Sequence, residues 1–334
     1  MKTKIIGLTY DLRSSYRAMG FSEEETAEFD KEETIEALEE AIQQCGYKTR
    51  KIGNIYELTQ CLAAGERWDL VFNIAEGMSG ACRESQVPAL LDAYRIPYTF
   101  ANPLTLAITL DKAYTKMVLK NHGFDMPQFF RISSSHELNG LPVQYPVFVK
   151  PVAEGTGKGI GNESIIDSFS ALSAQVEKLL EKHQQPVIIE EYLPGREFTA
   201  GITGTGKQAQ VLGIMEVIPE FSTEPIIYGY HTKENYQSLI HYALVNGPLA
   251  DEIADLALSS YQILGCEDAG RVDIKLNAAG KPCFIEINPL AGLNPVHSDL
   301  PILCKLVGIS YLSLIKKILG SAEKKMNPTV NAPV

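Results

Sequence analysis

The chain has 334 residues, too many for one ordinary hydrophobic core, which predicts two or three domains. Hydrophobic residues make up 45% and charged residues 21%, a balance that excludes wholesale disorder. The formal net charge of -11, from 30 basic and 41 acidic residues, argues against general binding to nucleic acid or to an anionic membrane, because both are polyanions; a local basic pocket for a nucleotide stays open.

In chain order, residues 4–9 (KIIGLT) read as an opening strand, too short and too soon followed by Asp11 and Arg13 to be a secretory signal. Residues 34–44 (TIEALEEAIQQ) carry the apolar period of an amphipathic helix, with Gly46 as its stop. Residues 48–52 and 69–73 are short strands, 85–94 a helix after a glycine-rich turn, and 96–99 a returning strand. Short apolar strands alternating with helices predict a parallel-sheet α/β domain over 1–103. A helix at 110–122, a strand at 145–152, a helix at 168–183 and a strand at 187–191 predict a small α+β module over 104–193. Strands at 197–203, 209–217, 270–276 and 281–288, with helices at 251–264 and 310–319, predict a second strand-rich domain over 194–320. The tail 321–334 has little to bury and is expected to be mobile. No run of 18 apolar residues offers a membrane span. The scattered Cys45, Cys61, Cys82, Cys266, Cys283 and Cys304, with no C-x-x-C pair, fit reduced thiols in a cytoplasm rather than disulfides or a zinc site.

Four segments hold residue types suited to chemistry. In FVKPVAEGTGKGIG (148–161), Lys150 closes an apolar strand, and glycines 155, 157, 159 and 161 make a turn whose N–H groups can lie on phosphates. The spacing is not that of a P-loop, and a plain surface turn is the alternative. GRVDIKLNAAGKPCFIEINP (270–289) reads as a β-hairpin. Its period of two puts Arg271 and Asp273 on one face, and Glu286 and Asn288 on one face of the returning strand. That oxygen cluster suits Mg²⁺ on nucleotide phosphates, although an ordinary salt-bridged hairpin would look alike. In VIIEEYLPGREF (187–198), Glu190 and Glu191 close a hydrophobic strand, where a carboxylate can accept from an adenine amino group or a ribose hydroxyl, or face solvent; Glu197 is equally open. In VFNIAEGMSGACRESQVPALLD (71–92), Glu76, Arg83 and Glu84 follow a sheet strand, at the carboxyl edge where open α/β folds bind ligands.

Together with IPYTFANPLTLAITLDKAYTK, these segments resemble the ATP-grasp superfamily in its D-alanine–D-alanine ligase-like branch, over roughly residues 65–319. The resemblance implies an α/β and α+β chain: an N-terminal parallel-sheet domain, a central lid domain and a C-terminal catalytic domain, with ATP between the last two. It implies an ADP-forming carbon–nitrogen ligase that activates a carboxylate as an acyl phosphate for attack by an amine. Two Mg²⁺ ions, replaceable by Mn²⁺, and a homodimer are part of the same expectation. On this pattern Lys112 contacts the nucleotide and Lys150 the phosphates, with Glu154 and Thr156 among the cofactor-binding residues. Glu190 meets the adenine, the backbone at Tyr192 and Leu193 frames it, and Glu197 binds the ribose. Lys233, in YHTKENY, belongs to a mobile loop over the phosphates. Asp273, Glu286 and Asn288 hold Mg²⁺, and Arg271 with the backbone of Gly292 stabilises the oxyanion formed on amine attack.

The departures fall on the amino-acid side. GLTYDLRSSY lacks the early G-G-x-S-x-E signature, EGMSGACRES stands for H-G…G-E-D-G, Thr156 and Gly157 stand for the two serines of G-S-S, and Glu234 replaces a tyrosine beside the mobile-loop lysine. NPLAGLNPVHSDLP replaces N-T-x-P-G-[ML], bringing His297 and Ser298 near the position that recognises the second substrate's carboxylate. The pattern therefore predicts a carboxylate–amine ligase for a different pair of small amino-acid-like substrates, with Arg83 pairing a substrate carboxylate and Glu76 meeting an ammonium. An authentic D-alanine–D-alanine ligase of cell-wall synthesis and a non-catalytic nucleotide-binding regulatory protein are the alternatives.

Overall fold

A computed structural model describes residues 3–219 and 240–326; Lys233 and Glu234 lie outside the described residues. Strands β1 (Ile5–Tyr10), β2 (Lys48–Gly53) and β3 (Leu70–Ile74) form a three-stranded parallel sheet in the order β2-β1-β3. Its strands alternate between two cores, as a period of two requires. Ile6, Leu8, Leu70 and Phe72 face the helix Glu32–Gln44 through Ile35, Leu38 and Ile42. Val71 and Ala75 face the helices Ile55–Ala63 and Gln86–Ala93 through Leu58, Leu62, Val87 and Leu91. The strand expected at 96–99 contributes only an isolated bridge from Tyr98 to Val71.

The second sheet is antiparallel, in the order β4-β7-β5-β6, from β4 (Phe129–Ile132), β5 (Val147–Pro151), β6 (Ile165–Ile166) and β7 (Val187–Glu191). The helix Phe169–His183 covers it through Leu172, Val176 and Leu179. The third sheet, also antiparallel, has the order β10-β9-β8-β11-β12, from β8 (Glu197–Thr203), β9 (Gln210–Pro219), β10 (Ile240–Leu244), β11 (Ala269–Leu276) and β12 (Pro282–Asn288). The helix Pro248–Ile263 closes one face with Ile253, Ala257 and Tyr261. The helix Lys112–Asn121 joins the two antiparallel sheets: Ala113 packs with Val152 and Ile188, and Leu119 enters the core of the third sheet.

The first sheet does not have a core of its own on both faces. Ile35, Leu38 and Phe72 share one cluster with Ala269, Leu290, Leu300, Leu314, Ile318 and Ala322 from the far end of the chain. The expectation of a mobile tail from residue 321 is corrected over the described part. The last helix runs Tyr311–Met326, straight through Gly320, with Ser321 and Ala322 buried. The helix continues because Ala322 completes the apolar stripe of Leu314, Ile315, Ile318 and Leu319 against the helix Glu32–Gln44. Lys325 then donates to the carbonyl of Phe100 and to Asp268, each at 2.9 Å. Among the described residues no helix is long and apolar enough to cross a membrane.

Candidate active site

Two cavities meet between the sheets. The smaller, about 120 Å³, lies between the second and third sheets and is lined by Lys150, Glu190, Tyr192, Leu193, Glu197 and Asp273 among others. Antiparallel pairing of β5 with β7 sets Phe148 opposite Glu190 and Lys150 opposite Ile188. The Glu190 carboxylate lies 3.1 Å from Lys150 Nζ and 2.7 Å from Lys116 Nζ. Burial alone would raise that carboxyl, but Lys116 and Lys150 outweigh it and hold it at about 2. Burial wins at Lys116, whose ammonium is lowered despite Glu190, whereas at Lys150 the pull of Glu190 and Glu286 overcomes burial. Two buried cations on one carboxylate leave a surplus positive charge, which suits a polyphosphate. Lys116 also donates to the carbonyl of Phe284 at 3.0 Å, tying its helix to β12. Glu197 reaches Lys275 across the β8–β11 ladder at 3.2 Å. The N–H of Tyr192 is spent on the carbonyl of Pro146.

The expected hairpin forms, with its register shifted by one residue at a bulge. Arg271 stands opposite Asn288 and Asp273 opposite Glu286, with a bulge after Asp273. Arg271 ion-pairs with Asp273 on its own strand and with Asp299 at 3.3 Å. Thr199 donates to Asp273 at 2.9 Å from the neighbouring β8. Lys112 Nζ lies 3.4 Å from Glu286 and donates to the carbonyl of Glu154 at 2.7 Å. Among the described residues no three His, Cys, Asp or Glu side chains form a metal cage. Two carboxylates and one amide on facing strands instead fit Mg²⁺, which keeps waters and phosphate oxygens among its ligands. The buried Nδ2 of Asn288 has no hydrogen-bond partner among the described residues, and the amide would meet a metal through its Oδ1.

The larger cavity, about 270 Å³, opens between the carboxyl edge of the first sheet and the loop after β12. Asp30, Glu76 and Glu84 line one side, and Arg271, Asn288, Gly292, His297 and Ser298 the other. Lys112, Glu154, Gly155 and Glu286 line both cavities. Thr156 lines only the larger one, with φ +52°. Burial, then repulsion from Glu84 and Glu28, raises the Glu76 carboxyl well above the usual range. Burial likewise lifts Glu84 to about 7 against the pull of Arg83, and Asp30 to about 7 against a bond from Thr34. Such a wall is suited to an ammonium group.

The expected role of Arg83 is corrected. Its two terminal nitrogens donate to the carbonyl of Ala153 and to Glu28, both at 2.7 Å, and it does not line the cleft. The turn before it is tight: a Cβ at Gly77, whose φ is +73°, would lie 2.7 Å from the Arg83 carbonyl oxygen, and the Gly77 N–H is anchored on Asp11 at 2.9 Å. That anchoring directs Arg83 toward the glycine loop. His297 and Ser298 reach the cleft on a loop organised by Asn294. Asn294 Oδ1 accepts from the N–H groups of Val296 and His297 at 2.9 Å, and its own N–H donates to Ser298 Oγ at 3.0 Å. Its Nδ2 donates to Thr34 at 2.9 Å, tying the loop to the N-terminal side. A Cβ on Gly292 would lie 2.8 Å from Ser298 Oγ, so any larger residue there would displace that hydroxyl. Sequence reasoning missed Lys116, Glu28, Asp30 and Asn294. Lys116 was findable, one helical turn after Lys112 on the same face; the other three stand in loops without a recognisable pattern.

The sequence profile described as "D-ala D-ala ligase C-terminus" matches residues 118–320. A D-alanine–D-alanine ligase of Bordetella petrii is 30% identical over 274 residues, covering 81% of this chain and 80% of that protein. An uncharacterised protein of Sinorhizobium fredii, y4sG, is 28% identical over 297 residues, covering 85% and 86%. The crystal structure of the D-alanine–D-alanine ligase from Bacillus anthracis complexed with ATP shares the fold, with a TM-score of 0.73 at 22% identity over 97% of this chain and 99% of that one. The chain therefore has the ATP-grasp fold, belongs to the D-alanine–D-alanine ligase family, and is an ATP-dependent, ADP-forming ligase that joins a carboxylate to an amine.

Proposed function

We propose that the smaller pocket receives ATP, that the larger cleft receives the carboxylate and the amine, and that the two are small amino-acid-like molecules other than a pair of D-alanines. The observation that supports this reading is the shared lining of the two cavities by Lys112, Glu154, Gly155 and Glu286, which makes them neighbours on either side of the same side chains. When bound, ATP supplies the phosphoryl group that makes the carboxylate oxygen a leaving group, and Mg²⁺, taken as two ions with Mn²⁺ able to substitute, neutralises its charge.

Asp273, Glu286 and Asn288 would hold the metal. Lys112 and Lys150 hold the phosphates, with Glu154 and Thr156 in the loop that covers them. Glu190 meets the adenine amino group between Tyr192 and Leu193, and Glu197 the ribose. Lys233 is assigned to the phosphates on the resemblance of YHTKENY alone. Arg271 and the N–H of Gly292 bind the oxygen that becomes negative when the amine attacks. Glu76, with Glu84 and Asp30 beside it, accepts an ammonium, and His297 and Ser298 lie where a carboxylate would end. The three sheets correspond to domains 1–103, 104–193 and 194–320. A homodimer and a cytoplasmic site of action complete the reading.

The test is ADP release with ATP and Mg²⁺ across a matrix of amino acids, dipeptides and small amines, with products identified by mass. One amide product is expected, lost in the D273A/E286A variant. D-alanyl-D-alanine as the favoured product would overturn the altered-pocket reading in favour of the activity for which the Bordetella petrii relative is named.

A further inference from the structure

Four charged side chains form a buried chain of ion pairs between the N-terminal domain and the glycine loop. Glu28 ion-pairs with Arg83 at 2.7 Å and with Lys158 at 3.3 Å, and Lys158 with Glu154 at 2.6 Å. Their side chains are only 7%, 9%, 11% and 15% exposed for Glu28, Arg83, Lys158 and Glu154. Charges so withdrawn from water persist only when paired, and two anions here meet two cations. Backbone atoms of the loop add to it: Arg83 donates to the carbonyl of Ala153, and the N–H of Gly155 donates to Glu28. Gln185 holds the other side of the loop, donating to Glu154 at 2.6 Å and accepting from the Ala153 N–H at 2.8 Å. Glu28 and Arg83 come from the N-terminal domain, whereas Lys158 and Glu154 come from the loop, so the Glu28–Lys158 pair and the contacts to Ala153 and Gly155 exist only when the loop is seated.

We propose that Glu28, Arg83, Lys158 and Glu154 are a latch that seats the glycine loop over the junction of the two cavities, and that they are positioning residues which keep water out of the ligation step. The inference rests on the two-pocket reading above. Glu154 and Gly155 line both cavities, so the latch braces the wall at the point where the phosphoryl group passes to the carboxylate. With the loop unseated, water replaces the amine as nucleophile. Its oxygen bonds to the acyl carbon, the acyl–oxygen bond to phosphate breaks, and the products are ADP, phosphate and the unchanged carboxylate.

The test uses the full chain and two variants, E28Q and R83K. Arg83→Lys keeps the charge but loses the planar fork that reaches Ala153 and Glu28 together, and it decides the matter should E28Q fold poorly. On the substrate pair found by the product screen, the native enzyme is expected to release about one ADP per amide, and the variants several-fold more, on the order of ten. A merely structural role would lower ADP and amide in proportion and leave the ratio unchanged. Independently of substrate, amide hydrogen exchange with a non-hydrolysable ATP analogue and Mg²⁺ should show residues 153–161 exchanging faster in R83K, roughly tenfold, with the sheets unaffected. Unchanged exchange and an unchanged ratio would overturn the latch. A K150A control separates the two claims: unaltered ATP affinity in K150A would sink the assignment of the nucleotide pocket while leaving loop exchange to report on the latch.

Discussion

Glu190 and Glu84 carry the same side chain and opposite charge behaviour. Glu190, between Lys116 and Lys150, is held ionised, whereas burial and the neighbouring Glu28 lift Glu84 from its ordinary 4.5 to about 7 despite Arg83. The sign of the stability effect follows. Over that range the folded chain keeps a proton on Glu84 that the unfolded chain has released, so the stability it contributes is full below 4.5 and is lost as pH rises through about 7. Glu84→Gln removes the titration. Melting temperatures of E84Q and the native chain should lie close together near about pH 5 and separate near about pH 8, with E84Q the more stable. A gap of equal size at both pH values would show that Glu84 ionises normally. The same variant should raise KM for the ammonium-bearing substrate, because the cleft loses an acceptor.

Between elements, a pair of facing glycines decides where part of the site sits. Gly201 of β8 stands opposite Gly213 of β9, making a shallow place in the sheet for the helix Asp299–Leu306. A Cβ at 201 would lie 2.7 Å from Leu303 Cδ2 and 3.0 Å from Leu300 Cδ1, and one at 213 would lie 2.7 Å from Val307 Cγ1. The first residue of that helix, Asp299, holds Arg271, itself opposite Gly201 across the β8–β11 ladder. Gly201→Ala should therefore push the helix off the sheet and cost about 1–3 kcal/mol of stability. Chemical denaturation measures the first effect. A fall in kcat beyond any loss of folded protein measures the accompanying shift of Arg271, and a native denaturation midpoint would show that the helix adapts freely.

For the molecule as a whole, the ends of the chain stabilise each other. The last helix completes the core of the first sheet, and Lys325 neutralises the fully buried Asp268, which also accepts from the N–H of Phe100 at 2.8 Å. Lys325→Met should cost about 2 kcal/mol, below the full value for a buried pair because a quarter of the Lys325 side chain stays exposed. Ending the chain at Gly320 should cost more, since Ala322 leaves the shared core as well. Urea midpoints of the two variants test this, and a truncated chain as stable as the full one would make residues 321–326 dispensable.

What the sequence determined by itself was local. Residues 270–289 contain both strands and the turn of their hairpin, so the hairpin was legible, but the register that runs through Ile274 and Phe284 would set Asp273 opposite Ile285, and it is the bulge after Asp273 that brings Glu286 opposite Asp273 and Asn288 opposite Arg271. Helix and strand positions were legible for the same reason, since each pattern is complete within about a dozen residues. The strand reading at 96–99 failed because a single bridge to Val71 has no signature of its own. Over its described residues, 321–326, the tail reading failed because their burial depends on a helix nearly 300 positions earlier. Only the tertiary structure decided that Arg83 serves Glu28, 55 positions away, rather than a substrate, that Lys116 meets Glu190, and that Asp30 and Glu84 share a wall. The charge of a side chain is written in the sequence, but the partner that neutralises it, and the water it loses, are set by residues that only the fold brings near.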